Sequence, residues 1–480
     1  MKRLHKHFRL LCLASLLMAG TAMHATDVTI DGITYTLGTD SSAIVTSFQS
    51  RTLSGKIIIP DTITFGGTKY FVDSLADKAF YQCMRITSVT IPSSVTSLGL
   101  ECFLNCSSLT SVTIPSFITS LGQSCFDDCS SLTSVTIPSS VTSVGAYCFQ
   151  NCTGLTSIMI PSSVTSLGLS CFSGCTGLTS VTILSLVTSL GQYCFEACIG
   201  LTSITIPSSV TSLGDYCFYG CTGLASITIP ASVTSLGSRC FYGCNKLDSV
   251  FVDMAKLPTM NSLIFFGTPS TRKLFIKDGI GETSANYLQF STANQWKDFS
   301  TKTCYWRDTI PASNFSTLYL GYPVKIPKGV RAFTTTKSGT EILLNEITDS
   351  IIPANTAVVI SGDSADYAFI KSDATGTAVS SNILRGSLTD ITAPLNCCML
   401  EAKGTTIGFY PYTGTVSAYK GYLVGDNGET AYTLKTPTGI QSVTTDNVND
   451  GYYYNLQGQQ VLNPEKGIYI HNGRKVLINK

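Results

Sequence analysis

Leucine at positions 109, 132, 155, 178, 201, 224 and 247 recurs every 23 residues, and Ile86 extends the series backward without insertion or deletion. A unit this short cannot bury its own apolar face. Each unit must cover its neighbour, so the array grows as a solenoid. The unit reads L-T-S-V-T-I-P-S-S-V-T-S-L-G-x-x-C-F-x-x-C-x-x. Val112 and Ile114 alternate with Ser111 and Thr113, the pattern of a half-buried strand. Pro115 ends that strand because it has no N–H for a ladder. Ile118 and Leu121 make a second apolar edge, and Gly122 permits a turn that a Cβ would obstruct. Cys125, Phe126 and Cys129 have the spacing of one tight helical turn. One Phe per unit, from Phe80 and Phe103 to Phe218 and Phe241, is expected to build a continuous spine. At about 4.8 Å per coil, the array spans on the order of 40 Å.

Composition narrows the function. The 480 residues carry a net charge of +1 and only 13% are charged. That excludes the basic excess needed to track nucleic-acid phosphates and the polybasic run that holds an anionic membrane. Residues 1–25 read as a secretory signal: Lys2, Arg3, Lys6 and Arg9, then an apolar stretch to about Met18, then small residues before Ala22 and Ala25. No other segment approaches 18 unbroken apolar residues, so the mature chain is expected to have no transmembrane segment. The expected location is therefore extracellular or on the cell surface.

The pattern IPSSVTSLGxxCFxxC resembles the BspA-type leucine-rich repeats of bacterial surface proteins, with Cys where that family usually has Ala before the Phe. Val72-Asp73-Ser74-Leu75 with Ala79-Phe80 and Cys83 is similar to a diverged first repeat. Leu274-Phe275-Ile276, Tyr287 and Trp296-Lys297-Asp298-Phe299 resemble that family's closing cap. The resemblance implies an adhesin-like protein that binds a host or neighbouring-cell protein or glycan. The alternative is a structural stalk that presents the carboxy-terminal β-domain. On this reading residues 26–85 form an N-terminal cap and diverged repeat, 86–253 the solenoid, and 254–304 its C-terminal cap.

Fifteen of the 19 cysteines fall in the repeats, as seven C-x-x-x-C pairs from Cys102/Cys106 to Cys240/Cys244 plus Cys83. Partners four apart on one turn point in parallel, and stacked columns sit slightly beyond the roughly 3.5–4.5 Å between Cβ atoms that a disulfide requires. Buried thiols acting as small hydrophobes fit this spacing. Inter-coil disulfides and a metal ladder are the alternatives, the latter without histidines to complete it.

Beyond Tyr305 short alternating strands such as Ser316–Leu320, Ala357–Ile360 and Thr406–Tyr410 suggest an all-β sandwich over residues 305–436. Cys304, Cys397 and Cys398 are read as free, with a vicinal Cys397–Cys398 disulfide as the minor option. Residues 437–450 read as a linker. Within 451–480, Tyr454–Val461, Gly467–Ile470 and Lys475–Lys480 resemble the carboxy-terminal sorting signal of the type IX secretion route, and imply a short β tail.

No catalytic constellation is expected. His5, His7 and His24 lie in the signal, which leaves His471 as the one histidine for a triad. There is no P-loop, no H-E-x-x-H and no cofactor motif, so neither metal nor cofactor is expected. Asp127-Asp128 reads as a solvated turn, with nothing apolar to shift a pKa.

Binding is left to two surfaces. The strand face (Ser111 and Thr113, Ser134 and Thr136, Ser203 and Thr205) is nearly uniform, which suits solubility, a repetitive ligand or an ice-binding hydroxyl ladder. Only seven charged residues occur between Ile86 and Leu247. Variation falls in the turn around the Phe, where Tyr147, Tyr193 and Tyr216 share one column and Tyr81, Tyr219 and Tyr242 another. Binding energy concentrates in aromatic anchors, so Tyr147, Tyr193, Tyr216, Tyr219 and Tyr242 are the candidate contacts.

Overall fold

A computed structural model describes residues 26–46, 52–184, 186–277, 284–379, 381–404, 406–425 and 431–435, with the backbone of four strands between 453 and 478. The expected signal 1–25 and linker 437–450 lie outside the described residues. The chain divides into two compact units at Tyr305/Trp306.

The first unit is a β-solenoid of about nine turns. Most repeats contribute two short parallel strands that pair with the equivalent strands 23 residues away, as Ser88–Thr90 do with Ser111–Thr113, and Ser120–Leu121 with Ser143–Val144; the first strand is missing at 134–137 and at 203–206. This register places Val112 and Ile114 inward and Ser111 and Thr113 outward. The first ladder breaks at 134–137, where the backbone bond from Thr133 to Thr110 stretches to 3.3 Å and that from Thr156 to Thr133 to 3.4 Å.

The C-x-x-x-C segment is not helical. Two residues per coil, such as Glu101 (φ 55°) and Asn105 (φ 64°), take left-handed backbone angles that a right-handed helix cannot hold. Alternate N–H groups leave the segment altogether. Glu101, Phe103 and Asn105 donate to Gln123, Cys125 and Asp127 of the next coil at 2.8–2.9 Å, while Leu104 and Cys106 close local turns onto Glu101 and Phe103. Spacing suggests a helix because a helix brings i and i+4 together. Here the neighbouring coil offers better-placed carbonyls. Among the described residues the only helix is Ala285–Thr292 of the closing cap, whose N-terminal Tyr287 N–H is accepted by the Ser284 hydroxyl at 3.0 Å.

The aromatic spine is longer than the repeat count implies. Nine rings from Phe80 to Phe265 stack with centroids 5.3–5.5 Å apart, the ninth after the period lengthens to 24. Trp296 and Phe299 meet Phe265 edge-on and close the stack. At the other end, Thr26–Ile30, Ile33–Leu37, Ser42–Val45 and Thr68–Leu75 form a sheet over the first coil.

The glycine at the second strand's end is required by the approach of consecutive coils. A Cβ on Gly168 would lie 2.3 Å from the Ala146 backbone N. Only glycine fits such contact between backbones.

No disulfide joins any of the 18 described cysteines, and all are buried. The second cysteine of each pair has a specific partner: its Sγ–H donates to the carbonyl of the preceding coil's Phe, from Cys106 onto Phe80 to Cys244 onto Phe218, at 3.0–3.2 Å. Burial pushes the Cys175 and Cys221 thiols up to about 12. Only about one molecule in 10⁴ then carries a given thiolate at pH 8. Cys397 and Cys398 are likewise free, in a strand that pairs with both Thr406–Pro411 and Gly421–Val424.

Among the described residues the second unit is all-β but not two facing sheets. One nine-stranded sheet runs Phe315–Leu318, Val358–Ser361, Arg331–Ser338, Glu341–Glu346, Tyr432–Lys435, Thr406–Pro411, Cys397–Lys403, Gly421–Val424, Leu384–Gly386. It curls until its first strand meets its eighth, where the Thr317 hydroxyl both accepts from Gly421 N–H and donates to Gly421 C=O at 3.0 Å. One cluster including Phe333, Ile342, Val359, Phe409 and Tyr432 fills the interior. The strand pattern suggests a sandwich because alternating strands look alike whether a core is enclosed by two sheets or by one. In the tail, Tyr453–Tyr454, Gln460–Val461, Gly467–His471 and Arg474–Ile478 form a four-stranded antiparallel sheet.

Native protein at pH 8 is expected to react negligibly with a thiol reagent, whereas denatured, unreduced protein should titrate all 18 described cysteines. Recovery of only a few would mean inter-coil bridges.

Candidate functional site

The turn segment that knits the coils also sets the site. The first left-handed position holds Glu101, Ser124, Tyr147, Ser170, Tyr193, Tyr216 and Arg239 in successive coils, at φ 50–58°. A side chain there costs roughly 1–2 kcal/mol relative to glycine. The backbone is held by bonds to the next coil, from Tyr193 to Asp215 at 3.0 Å and from Tyr216 to Ser238 at 2.8 Å. Side chains in this column, and those three residues further on, therefore stand in register from coil to coil.

Where both columns are aromatic they fuse. Tyr193 stacks on Tyr216 at 4.7 Å, Tyr216 tilts against Tyr219 at 5.6 Å, Tyr219 stacks on Tyr242 at 5.2 Å, and Tyr242 on Phe266 at 5.2 Å. The result is a ridge of five rings across four coils. Phe266 escapes the column count in the sequence, because it follows the lengthened period. It is 58% exposed and is the most open ring of the series. Arg239 places its guanidinium 5.5 Å from the Tyr216 ring centre and donates to the Tyr216 hydroxyl. This is a cation–π contact and a hydrogen bond from one side chain. Tyr147 stands apart, since Ser170 separates it from Tyr193, and Tyr81 lies at the amino-terminal end beside Lys78. Stacked rings cover one another's faces, so the ridge offers edges, hydroxyls and the Arg239 charge.

The six strand-face residues, Ser111, Thr113, Ser134, Thr136, Ser203 and Thr205, are all exposed. Met159, 59% exposed, and Phe251 take the threonine place in two coils and interrupt the hydroxyl ladder.

Asp127 departs from a solvated turn. Its carboxyl is half-buried, with one oxygen enclosed and lacking a hydrogen-bond partner. Burial first, and the Asp128 charge second, push it up to about 6. Among the described residues no group of three or more His, Cys, Asp or Glu is placed to hold a metal, and no helix is long and apolar enough to cross a membrane.

Residues 73–200 and 170–295 match the BspA-type leucine-rich repeat region, in six copies. No curated protein matches the sequence. Among solved structures, the chain is similar to a leucine-rich repeat protein from Bacteroides ovatus, at 26% identity over 58% of this chain and 76% of that one, with a TM-score of 0.44. It is similar to the T. pallidum leucine-rich repeat protein at 28% identity, over 42% and 91%, with a TM-score of 0.36. A leucine-rich cell surface protein from Faecalibacterium prausnitzii shares 22% identity over 58% and 94%, with a TM-score of 0.28.

The Asp127 carboxyl binds its proton more tightly in the folded chain than in the unfolded one, where it titrates near 3.8. Its favourable contribution is thus complete below about pH 4 and is lost as pH rises through about 6. Asp127→Asn is expected to raise stability at pH 7.5 by up to about 1 kcal/mol, reduced by solvent screening, and to change nothing at pH 4. Urea unfolding at the two pH values measures this. Equal effects at both would refute the assignment.

Proposed function

We propose that this chain is an exported, non-enzymatic binding protein of the cell surface, and that the solenoid's turn face is its contact surface. The single observation that carries the reading is the fused ridge of Tyr193, Tyr216, Tyr219, Tyr242 and Phe266 on an array otherwise dressed in Ser and Thr. A uniform hydroxyl surface holds water well and contributes few anchors. Tyrosines already ordered by stacking lose little side-chain entropy on binding, which makes them efficient ones. Edges and hydroxyls suit a host or neighbouring-cell protein better than the open ring face on which a sugar of a glycan would stack. Tyr147 is a secondary contact at most, because it lies outside the ridge.

Replacing Tyr193, Tyr216, Tyr219 and Tyr242 with Ser is expected to leave the repeats folded, since the buried spine beneath is untouched. Each lost anchor removes about 1–2 kcal/mol, so a micromolar interaction with extracellular-matrix or cell-surface proteins on an array falls below detection. Undiminished binding by this variant that tracks with the isolated fragment 305–436 would favour the stalk. The uniform strand face supports that second reading, because a stalk needs only to be long and soluble.

Export is proposed from the signal-like residues 1–25 and from the tail's resemblance to a type IX sorting signal. Deleting Tyr452–Lys480 is expected to trap the protein in the periplasm with its repeats folded, as fractionation and thermal melting would report. Unchanged delivery to the surface would remove the sorting role.

A further inference from the structure

The seam of the second unit's curled sheet opens into a groove of about 500 Å³. Tyr319 enters it just beyond the first strand, Asn355 and Thr356 lead into the second, and Arg385 and Tyr422 come from the last two. Arg385 and Tyr422 are direct cross-strand partners, so they project from one face. The Tyr422 ring is buried, at 8% exposure, but its hydroxyl is not enclosed and makes no hydrogen bond to the described residues. Arg385 is exposed and makes no ion pair among them. No carboxylate lines the groove.

The walls are fixed in advance. The Asn382 amide oxygen accepts from Thr335 N–H and Oγ1–H at 3.1 Å and from Leu384 N–H at 3.3 Å, while its Nδ2 donates to Ala357 C=O at 2.6 Å. Gly386 lets the Tyr319 ring lie against the strand, since a Cβ there would fall 2.1 Å from the ring. The Tyr319 hydroxyl donates to Asn355 Oδ1 across a long 3.5 Å, which leaves the Asn355 amide N–H groups as donors.

A phenol hydroxyl that reaches solvent and bonds nothing in the protein can exchange its water for a ligand hydroxyl. A guanidinium with no carboxylate nearby is matched by a ligand carboxylate, which its fork grips through two parallel bonds. The volume lies within the range of about 300–1,000 Å³ usual for small-molecule sites, but the lining is too polar for an apolar ligand. We infer that this groove binds a carboxylate-bearing sugar of the hexuronic acid class, with Arg385 on the carboxylate and the Tyr422 hydroxyl and Asn355 amide on the ring hydroxyls. The site is separate from the tyrosine ridge and stands or falls without it.

The test titrates the full chain with glucuronate and galacturonate, with neutral glucose and galactose, and with N-acetylglycine as a carboxylate lacking a sugar ring, by calorimetry or saturation-transfer NMR. The expected result is saturable millimolar binding of at least one uronate, tenfold weaker for its neutral parent and for N-acetylglycine. Arg385→Gln should lower uronate affinity tenfold or more, Arg385→Lys less, and Tyr422→Phe several-fold, all without change in melting temperature. Tyr422→Phe removes only the hydroxyl and keeps the packing, so it reports binding even if an Arg385 variant folds poorly. Absence of uronate binding overturns the inference. Equal affinity for the neutral sugar or for N-acetylglycine overturns it too, as does uronate binding indifferent to both substitutions.

Discussion

Everything in the solenoid depends on the backbone hydrogen bonds that leave one turn and end on the next. In a helix such bonds would be satisfied internally and the coil would stand alone. Here Phe103 gives its N–H to Cys125 and Asn105 to Asp127, so no turn is complete without its successor. The aromatic spine is a product of this stacking, because a fixed separation between coils brings equal rings to 5.3–5.5 Å. So are the thiol columns: a cysteine Sγ meets the preceding Phe carbonyl only because that carbonyl is held at one height. The free thiols thus belong to the hydrogen-bonding scheme as much as to the apolar core.

Much of this is legible in the residues. Alternation over Ser111–Ile114 locates the first strand, Gly122 marks a close approach, and the single Phe per unit identifies the spine. The path of the backbone between Cys125 and Cys129 is not. Sequence spacing reports which residues come near one another in a helix, and says nothing of carbonyls offered by a different turn. Asp127 escapes a sequence reading too, since the burial that raises its pKa depends on how the turn is folded and not on residue type. The left-handed positions are visible in part: the second holds Asn105, Asp128, Asn151, Gly174, Gly220 and Gly243, residue types that tolerate positive φ, with Ala197 as the exception. The first gives no such signal, because it holds Tyr, Ser, Glu and Arg.

The tyrosine columns can be found in the sequence, but not their fusion into one ridge. That requires the tilt of Tyr216 against Tyr219, which crosses from one column to the other within a coil, and the lengthened period that brings Phe266 onto Tyr242. The second unit is harder still. Its strands alternate as any half-buried strands do, and nothing local states that Phe315–Leu318 closes onto Gly421–Val424. The closure comes through the Thr317 side chain, about a hundred residues from its partner.

The identical junction between successive coils has a consequence for how such a chain changes over time. Each turn presents one surface upstream and another downstream, and these are the same at nearly every step. Excision or duplication of one 23-residue unit rejoins surfaces that already fit, whereas a change of any other length leaves donors and acceptors out of step. At the gene level, copy number is therefore a heritable variable that moves in whole units, each shifting the separation of the two caps by about 5 Å. The length of the solenoid can be adjusted by recombination alone, with neither cap rewritten.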